Sequence, residues 1–248
     1  MVLSPDPPNT LESMEPLYQA LAPHLDVIAY EGPGFGYSSA HTSMAYTLDD
    51  GARVLAAVLD GLGVQRAVIA HTCVAAFAAL RFARVHPERT TGLALGQVPC
   101  LSASKAWARR VDFRGALATP FVGQVALRIM RQRVAQLWYA NALPRGADPT
   151  ELTAMALDSF KRGARFPLAS ALQALHRAPE EADLLQVGCP TVVLWGDLDR
   201  THRHTDKASI TEHATNAEIR HLPNCGHFPD LERPDAFSAA VLELARVG

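Results

Sequence analysis

Apolar residues in this chain follow two alternating rhythms. Short apolar runs at 27–30, 68–71, 92–95, 191–195 and 218–222 are too brief for helices and are bounded by turn-forming residues. Between them, 11–22, 47–62, 73–85 and 234–246 carry apolar positions at helical spacing. Thr47 opens the second of these helices, with Asp49 and Asp50 in its first turn, where negative charge suits the helix dipole. Thr10 is placed to cap the first. Leu3 reads as the end of a short edge strand, before a loop broken by Pro5, Pro7 and Pro8. Short apolar runs alternating with helices predict buried parallel strands and an α/β fold.

The rhythm changes in the middle of the chain. From residue 102 to about 183 no strand pattern occurs, and 109–114, 121–140, 151–162 and 168–177 read as helices separated by Pro120, Pro144, Pro149 and Pro167. Charge changes there too. Residues 100–185 hold twelve Lys/Arg against seven Asp/Glu, whereas the chain as a whole carries a net charge of −2. This basic segment reads first as a solvated helical surface and second as an anion-attracting lid.

A chain of 248 residues, 48% hydrophobic and 19% charged, fits one soluble core with an inserted subdomain. The near-neutral charge points away from nucleic acid and anionic membranes, and no apolar run reaches the length of a membrane span. The first six residues lack a basic-then-apolar secretory pattern, so a cytoplasmic location is expected. Cys73, Cys100, Cys189 and Cys225 show no metal-ligand spacing and are expected as free thiols. His202 and His204, two residues apart, fit a polar loop opening a helix better than a metal site.

Residues 67–76, Ala-Val-Ile-Ala-His-Thr-Cys-Val-Ala-Ala, pass from a buried strand into a helix without a linker. Such a turn strains its corner residue and lifts that side chain above the sheet edge. Three further segments accompany it in order: Pro33-Gly34-Phe35-Gly36-Tyr37-Ser38, Trp195-Gly196-Asp197-Leu198-Asp199 and Asn224-Cys225-Gly226-His227-Phe228. Together the four resemble the α/β-hydrolase fold family over nearly the whole chain, the middle third matching only as a variable helical cap. The resemblance implies a mostly parallel sheet flanked by helices, with 1–100 and 186–248 as the core and 101–185 as the cap. The sequence departs from the family in one respect: members usually begin with a further β-hairpin, whereas this one starts where their third strand would be, so either the sheet is reduced or residue 1 is not the native start.

Carried onto this sequence, the resemblance makes His227 the general base and Asp199 the acid that orients it, with Asp197 the competing carboxylate. It puts Thr72 where the family has its serine nucleophile, and Ala70 and Val74 where the elbow has glycines. Cys73, one residue further on, is then a buried helix residue pointing away from His227, with its N–H serving the oxyanion hole. The second donor would come from Ser4-Pro5-Asp6-Pro7-Pro8, where three prolines lack an N–H and Asp6 brings a carboxylate close to the developing charge. Three readings follow. One is hydrolysis of a small ester, thioester or lactone through Thr72, His227 and Asp199. Another is a lyase, isomerase or cyclase in which the His227–Asp199 pair moves protons, Asp6 acts as a second acid or base, and Thr72 binds substrate. The last is an inactive binding protein. No cofactor motif is present, and the family implies none; the expected partner is a small molecule. Trp107, Phe113, Phe121, Trp138, Tyr139 and Phe166 are the cap residues expected to shape its pocket.

Overall fold

The computed structural model describes residues 1–40, 43–181 and 183–247, and for Phe113 the backbone alone. Six strands, β1 (Val2–Ser4), β2 (Ile28–Ala29), β3 (Ala67–Thr72), β4 (Thr90–Gly96), β5 (Thr191–Gly196) and β6 (Glu218–Leu222), form one sheet in the order β2-β1-β3-β4-β5-β6. Every neighbouring pair is parallel. The strand around Leu3 is therefore interior, not at the edge as its shortness suggests. It bonds β2 on one side and β3 on the other, and β2 is the edge.

Alternation along the strands sends side chains to two cores. Ile69, Leu93, Leu95 and Val193 pack with Leu55, Leu59, Phe77 and Leu80 of α2 (Leu48–Gly61) and α3 (Ala76–Val85). Val68, Ala70, Ala94, Val192 and Leu194 pack on the other face with α1 (Glu15–Leu21) and, from the C-terminus, Phe237, Val241 and Leu244. The N-terminus of α2 carries a full capping box: the Thr47 hydroxyl accepts from the Asp50 N–H, and the Asp50 carboxylate accepts from Thr47. Thr10 makes no side-chain cap bond. The segment it precedes starts as a 3-10 turn, Leu11–Met14, before α1.

Between β4 and β5, the described residues contain helices and no strand: α4 (Leu101–Val111), α5 (Val122–Ala142), α6 (Thr150–Arg162) and α7 (Arg165–Arg177). α4 begins eight residues before the helical pattern at 109, because Cys100 caps it through its sulfur, a donor-acceptor role that sequence patterns miss. The two ends of this insert differ in their packing. Leu101, Trp107 and Leu175 join the α2–α3 core. Ala135, Tyr139, Ala142, Ala156 and Phe160 build a third cluster that reaches Phe35 and Phe228. The chain closes with α8 (Pro229–Glu232) and α9 (Pro234–Val247). Among the described residues, no helix is long and apolar enough to cross a membrane.

Candidate active site

β3 runs one residue further than its apolar pattern suggests. Thr72 is still extended, at φ −123° and ψ 158°, and the corner falls on Cys73, at φ +47°. A non-glycine residue there sits in the left-handed region at a cost of about 1–2 kcal/mol, and a strand-to-helix turn is where such strain has a use. The expectation for Thr72 and Cys73 is thereby reversed. Thr72 faces the α1/α9 side: its hydroxyl lies 3.5 Å from the Asp230 carboxylate, and its methyl fills the space a Cβ on Gly96 would need. Cys73 does not point away from the histidine. Its sulfur, a carboxylate oxygen of Asp6 and a ring nitrogen of His227 lie within 4.8 Å of one another. The residues standing where the elbow usually has glycines are thus His71 and Ala75, not Ala70 and Val74. His71 bridges the turn, its Nδ1 3.2 Å from the Ala75 carbonyl, and burial lowers its pKa to about 4, so it stays neutral.

His227 is delivered by the loop after β6. Gly226 has no room for a side chain, since a Cβ there would meet the Ala142 carbonyl at 2.4 Å. The His227 N–H donates to that same carbonyl at 2.9 Å. Glu232 brackets the loop by accepting from the Gly226 and Phe228 N–H groups at 2.7 and 3.0 Å. The ring is fully buried. Its Nδ1 lies 2.7 Å from Asp199 Oδ2, and its Nε2 has no hydrogen-bond partner among the described residues. Burial opposes protonation of His227, but Asp199, its hydrogen bond, Asp6 and Asp230 together raise the pKa.

Asp199, not Asp197, meets the histidine. Its other partners are the Gln97 amide at 2.9 Å and both the N–H and hydroxyl of Thr201 at 2.8 Å. Burial would raise its pKa, but His227 and these donors outweigh burial and bring it to about 2. Asp197 instead pairs on the surface with Lys207 and His221.

Asp6 lies where the oxyanion loop was expected, 3% exposed. Its carboxylate accepts from the Ala75 N–H at 3.3 Å, and from the Val74 N–H and the Cys73 thiol. Burial raises its pKa to about 6, against the pull of His227 and these donors. Burial, followed by the charge of Asp6, pushes the Cys73 thiol well above its usual range, so the sulfur rests protonated.

Two residues here were not singled out in the sequence for this purpose. His202 is buried and stacks on Trp107 (4.7 Å, 9°) and His227 (5.4 Å, 24°); burial and His227 lower its pKa to about 3. Asp230, fully buried on α8, is raised by that burial to about 7. A neutral histidine between aromatic rings and a carboxyl behind the strand-to-helix turn leave no spacing signature, so only tertiary packing finds them.

Above the elbow opens a cavity of about 940 Å³, lined mostly by apolar side chains, with Asp6 and Cys73 in its wall. Of the six cap residues expected there, Trp107 and Trp138 line it. Tyr139 is buried instead in the third cluster, its hydroxyl donating to Asn9 at 2.8 Å. Phe121 is 85% exposed and, like Phe166, lies outside the wall. The side chain of Phe113 lies outside the described residues. Arg110, Arg133, Arg200 and Arg203 also line the cavity.

A turn that raises a thiol beside a histidine backed by a buried carboxylate, at the C-terminal edge of a parallel sheet, defines the class of enzymes that work through an elbow nucleophile. The chain belongs to the alpha/beta hydrolase family, which it matches over residues 10–240. A 2-hydroxy-6-oxononadienedioate/2-hydroxy-6-oxononatrienedioate hydrolase of Burkholderia vietnamiensis is 25% identical over 225 residues, 89% of this chain and 76% of the relative. Among solved structures, epoxide hydrolase A of Mycobacterium thermoresistibile superposes with a TM-score of 0.83 at 20% identity, covering 99% of this chain and 90% of that one. A haloalkane dehalogenase DbeA loop variant of Bradyrhizobium elkanii gives 0.78 at 22% identity, covering 100% and 89%. At these identities the structural likeness establishes the fold.

Proposed function

We propose that the protein hydrolyses a small carbonyl compound, an ester, thioester or lactone, with Cys73 as nucleophile, His227 as general base and Asp199 as the group that holds the imidazole. The observation that carries this reading is the placing of the Cys73 sulfur, on a left-handed corner, beside a histidine whose other nitrogen is held by Asp199. His227 takes the thiol proton as sulfur attacks the carbonyl carbon, then returns it to the leaving group. Water attacks the resulting thioester with His227 again as base, freeing the acid and restoring the thiol. Because the thiol rests protonated, the base is needed at the first step.

The cavity supports an apolar substrate that carries an anionic group. Its wall is mainly apolar, and its four arginines have no carboxylate partner among the described ion pairs. Of the carboxylates in the wall, Asp112 accepts from the Leu117 and Ala118 N–H groups, and Asp6 lies on the floor. The Burkholderia relative is named for dicarboxylate substrates, which agrees with this reading.

The test is a panel of neutral and carboxylated thioesters with intact-mass detection of the enzyme. An acyl adduct on Cys73, absent in Cys73→Ala, is the expected result. Turnover that survives Cys73→Ala would reject the nucleophile and favour proton-transfer chemistry by His227 and Asp6.

A further inference from the structure

Asp6 occupies a place where a hydrolase that attacks carbonyls should not tolerate a negative charge. The N–H groups of Val74 and Ala75, which would otherwise steady the oxygen of a tetrahedral intermediate, are engaged by its carboxylate. The carboxylate is not turned away: these donors and the Cys73 thiol hold it against the sulfur and His227, within 4.8 Å of both. Pro5, Pro7 and Pro8 around it carry no N–H to replace what it takes.

We propose that Asp6, in its protonated form, is a catalytic residue that donates a hydrogen bond to the substrate carbonyl oxygen as negative charge develops there. The proposal rests on the Cys73 reading above. A buried carboxylic acid kept neutral is a competent oxyanion donor, and the proton it needs is next to it. His227 is surrounded by Asp199, Asp6 and Asp230, and holds a proton more firmly than a free imidazole. Transfer of one proton from His227 to Asp6 converts both groups at once. The imidazole becomes neutral and able to take the Cys73 proton, and the carboxylate becomes a donor. As the S–C bond forms, the carbonyl π electrons move onto oxygen, which is held by the Asp6 O–H. The thiol proton passes to His227 and leaves with the departing group, and Asp6 retains its proton through the cycle.

The groups facing Asp6 come from four elements: Cys73 at the elbow, His227 after β6, Asp230 on α8 and Tyr139 on α5. Asp230, once ionised, favours the neutral form of Asp6, Tyr139 remains a neutral phenol, and His227 opposes the neutral form only while charged. The Asp6–His227 pair therefore titrates as a unit, and the working state exists while the pair shares one proton.

The experiment is a 19F NMR titration of the whole protein with an aryl trifluoromethyl ketone, whose thiohemiketal with Cys73 mimics the tetrahedral intermediate, across about pH 5 to 9. In the wild type, adduct affinity should fall on the alkaline side as the pair loses its shared proton. Asp6→Asn, whose amide donates at every pH, should bind within about tenfold of wild type and lose that alkaline limb. Asp6→Ala should bind about 100-fold more weakly throughout. An Asp6→Asn variant as weak as Asp6→Ala, or one that keeps the alkaline limb, overturns the proposal in favour of an ionised Asp6. Equal affinity of Asp6→Ala and wild type overturns it as well, while leaving Cys73 in place. A wild type that forms no adduct overturns the Cys73 reading, and this proposal with it.

Discussion

The two halves of the candidate site are built on different terms. On one side, Asp199 and His227 form a buried pair at 2.7 Å, on loops whose Trp-Gly-x-x-Asp and Gly-His patterns match the family's. On the other, the elbow carries Cys73 between His71 and Ala75 where serine and glycines are usual, and a carboxylate occupies the oxyanion position. On the proposed reading, the half of the site that would handle protons keeps the family's residues, and the half that would meet the electrophile is rebuilt around sulfur and an acid. A thiol and a carboxyl both depend on where protons reside, so the rebuilt half relies on the other more than a serine and two N–H groups would.

The largest expected effects test that dependence. His227→Ala and Cys73→Ala should each lower thioester hydrolysis by about 10⁴-fold or more, and the double variant should lose little beyond either, since residues acting as one unit fail together. Additive losses in steady-state rates would separate the two halves of the site. Asp199→Asn should cost about 10³–10⁴-fold by leaving the imidazole in the wrong tautomer, with KM for a thioester nearly unchanged; a loss confined to KM would mean that Asp199 only shapes the pocket.

Stability distinguishes the carboxylates on the two sides. The pKa of Asp230 is raised to about 7, so the folded protein keeps a proton that the unfolded chain gives up near 4. Its contribution is full below pH 4 and is lost as pH rises towards 7, whereas that of Asp199, lowered to about 2, is full above pH 4 and is lost as pH falls towards 2. Asp230→Asn should therefore stabilise the protein at pH 8, by about 1–3 kcal/mol, and less at pH 5. Denaturation midpoints at the two pH values decide it, and equal shifts would contradict the raised pKa. The smallest effect belongs to Thr72. Thr72→Val removes one long hydrogen bond to Asp230 and should cost about 1 kcal/mol of stability. Its hydrolysis rate should stay within about threefold of wild type, and a large rate loss would return Thr72 to the site.

Much of this was legible in the sequence because it is periodic or locally patterned. Strands with short apolar runs, the Thr47–Asp50 capping box and the Trp-Gly-x-x-Asp acid loop all carry their geometry in neighbouring residues. The elbow register was not legible in that way. Without glycines, 70/74 and 71/75 frame the turn about equally well, and an apolar count ends β3 at His71, one residue too soon. Two signals point to the right register: Ala75 is the small residue two positions after Cys73, and a thiol is a better nucleophile than a branched secondary alcohol. The interior position of β1 was hidden for another reason. A strand of three residues looks like an edge strand, and only its pairing with both β2 and β3 shows otherwise. His202 and Asp230 depend on packing between segments far apart in sequence.

Trp107 and Trp138 enclose the His227 ring, stacked at 5.9 Å and edge-on at 4.9 Å, and both also line the cavity. The same two side chains thus shape the cavity and shield the imidazole from water. Replacing either indole is therefore expected to change at once the shape the cavity admits and the burial that opposes protonation of His227.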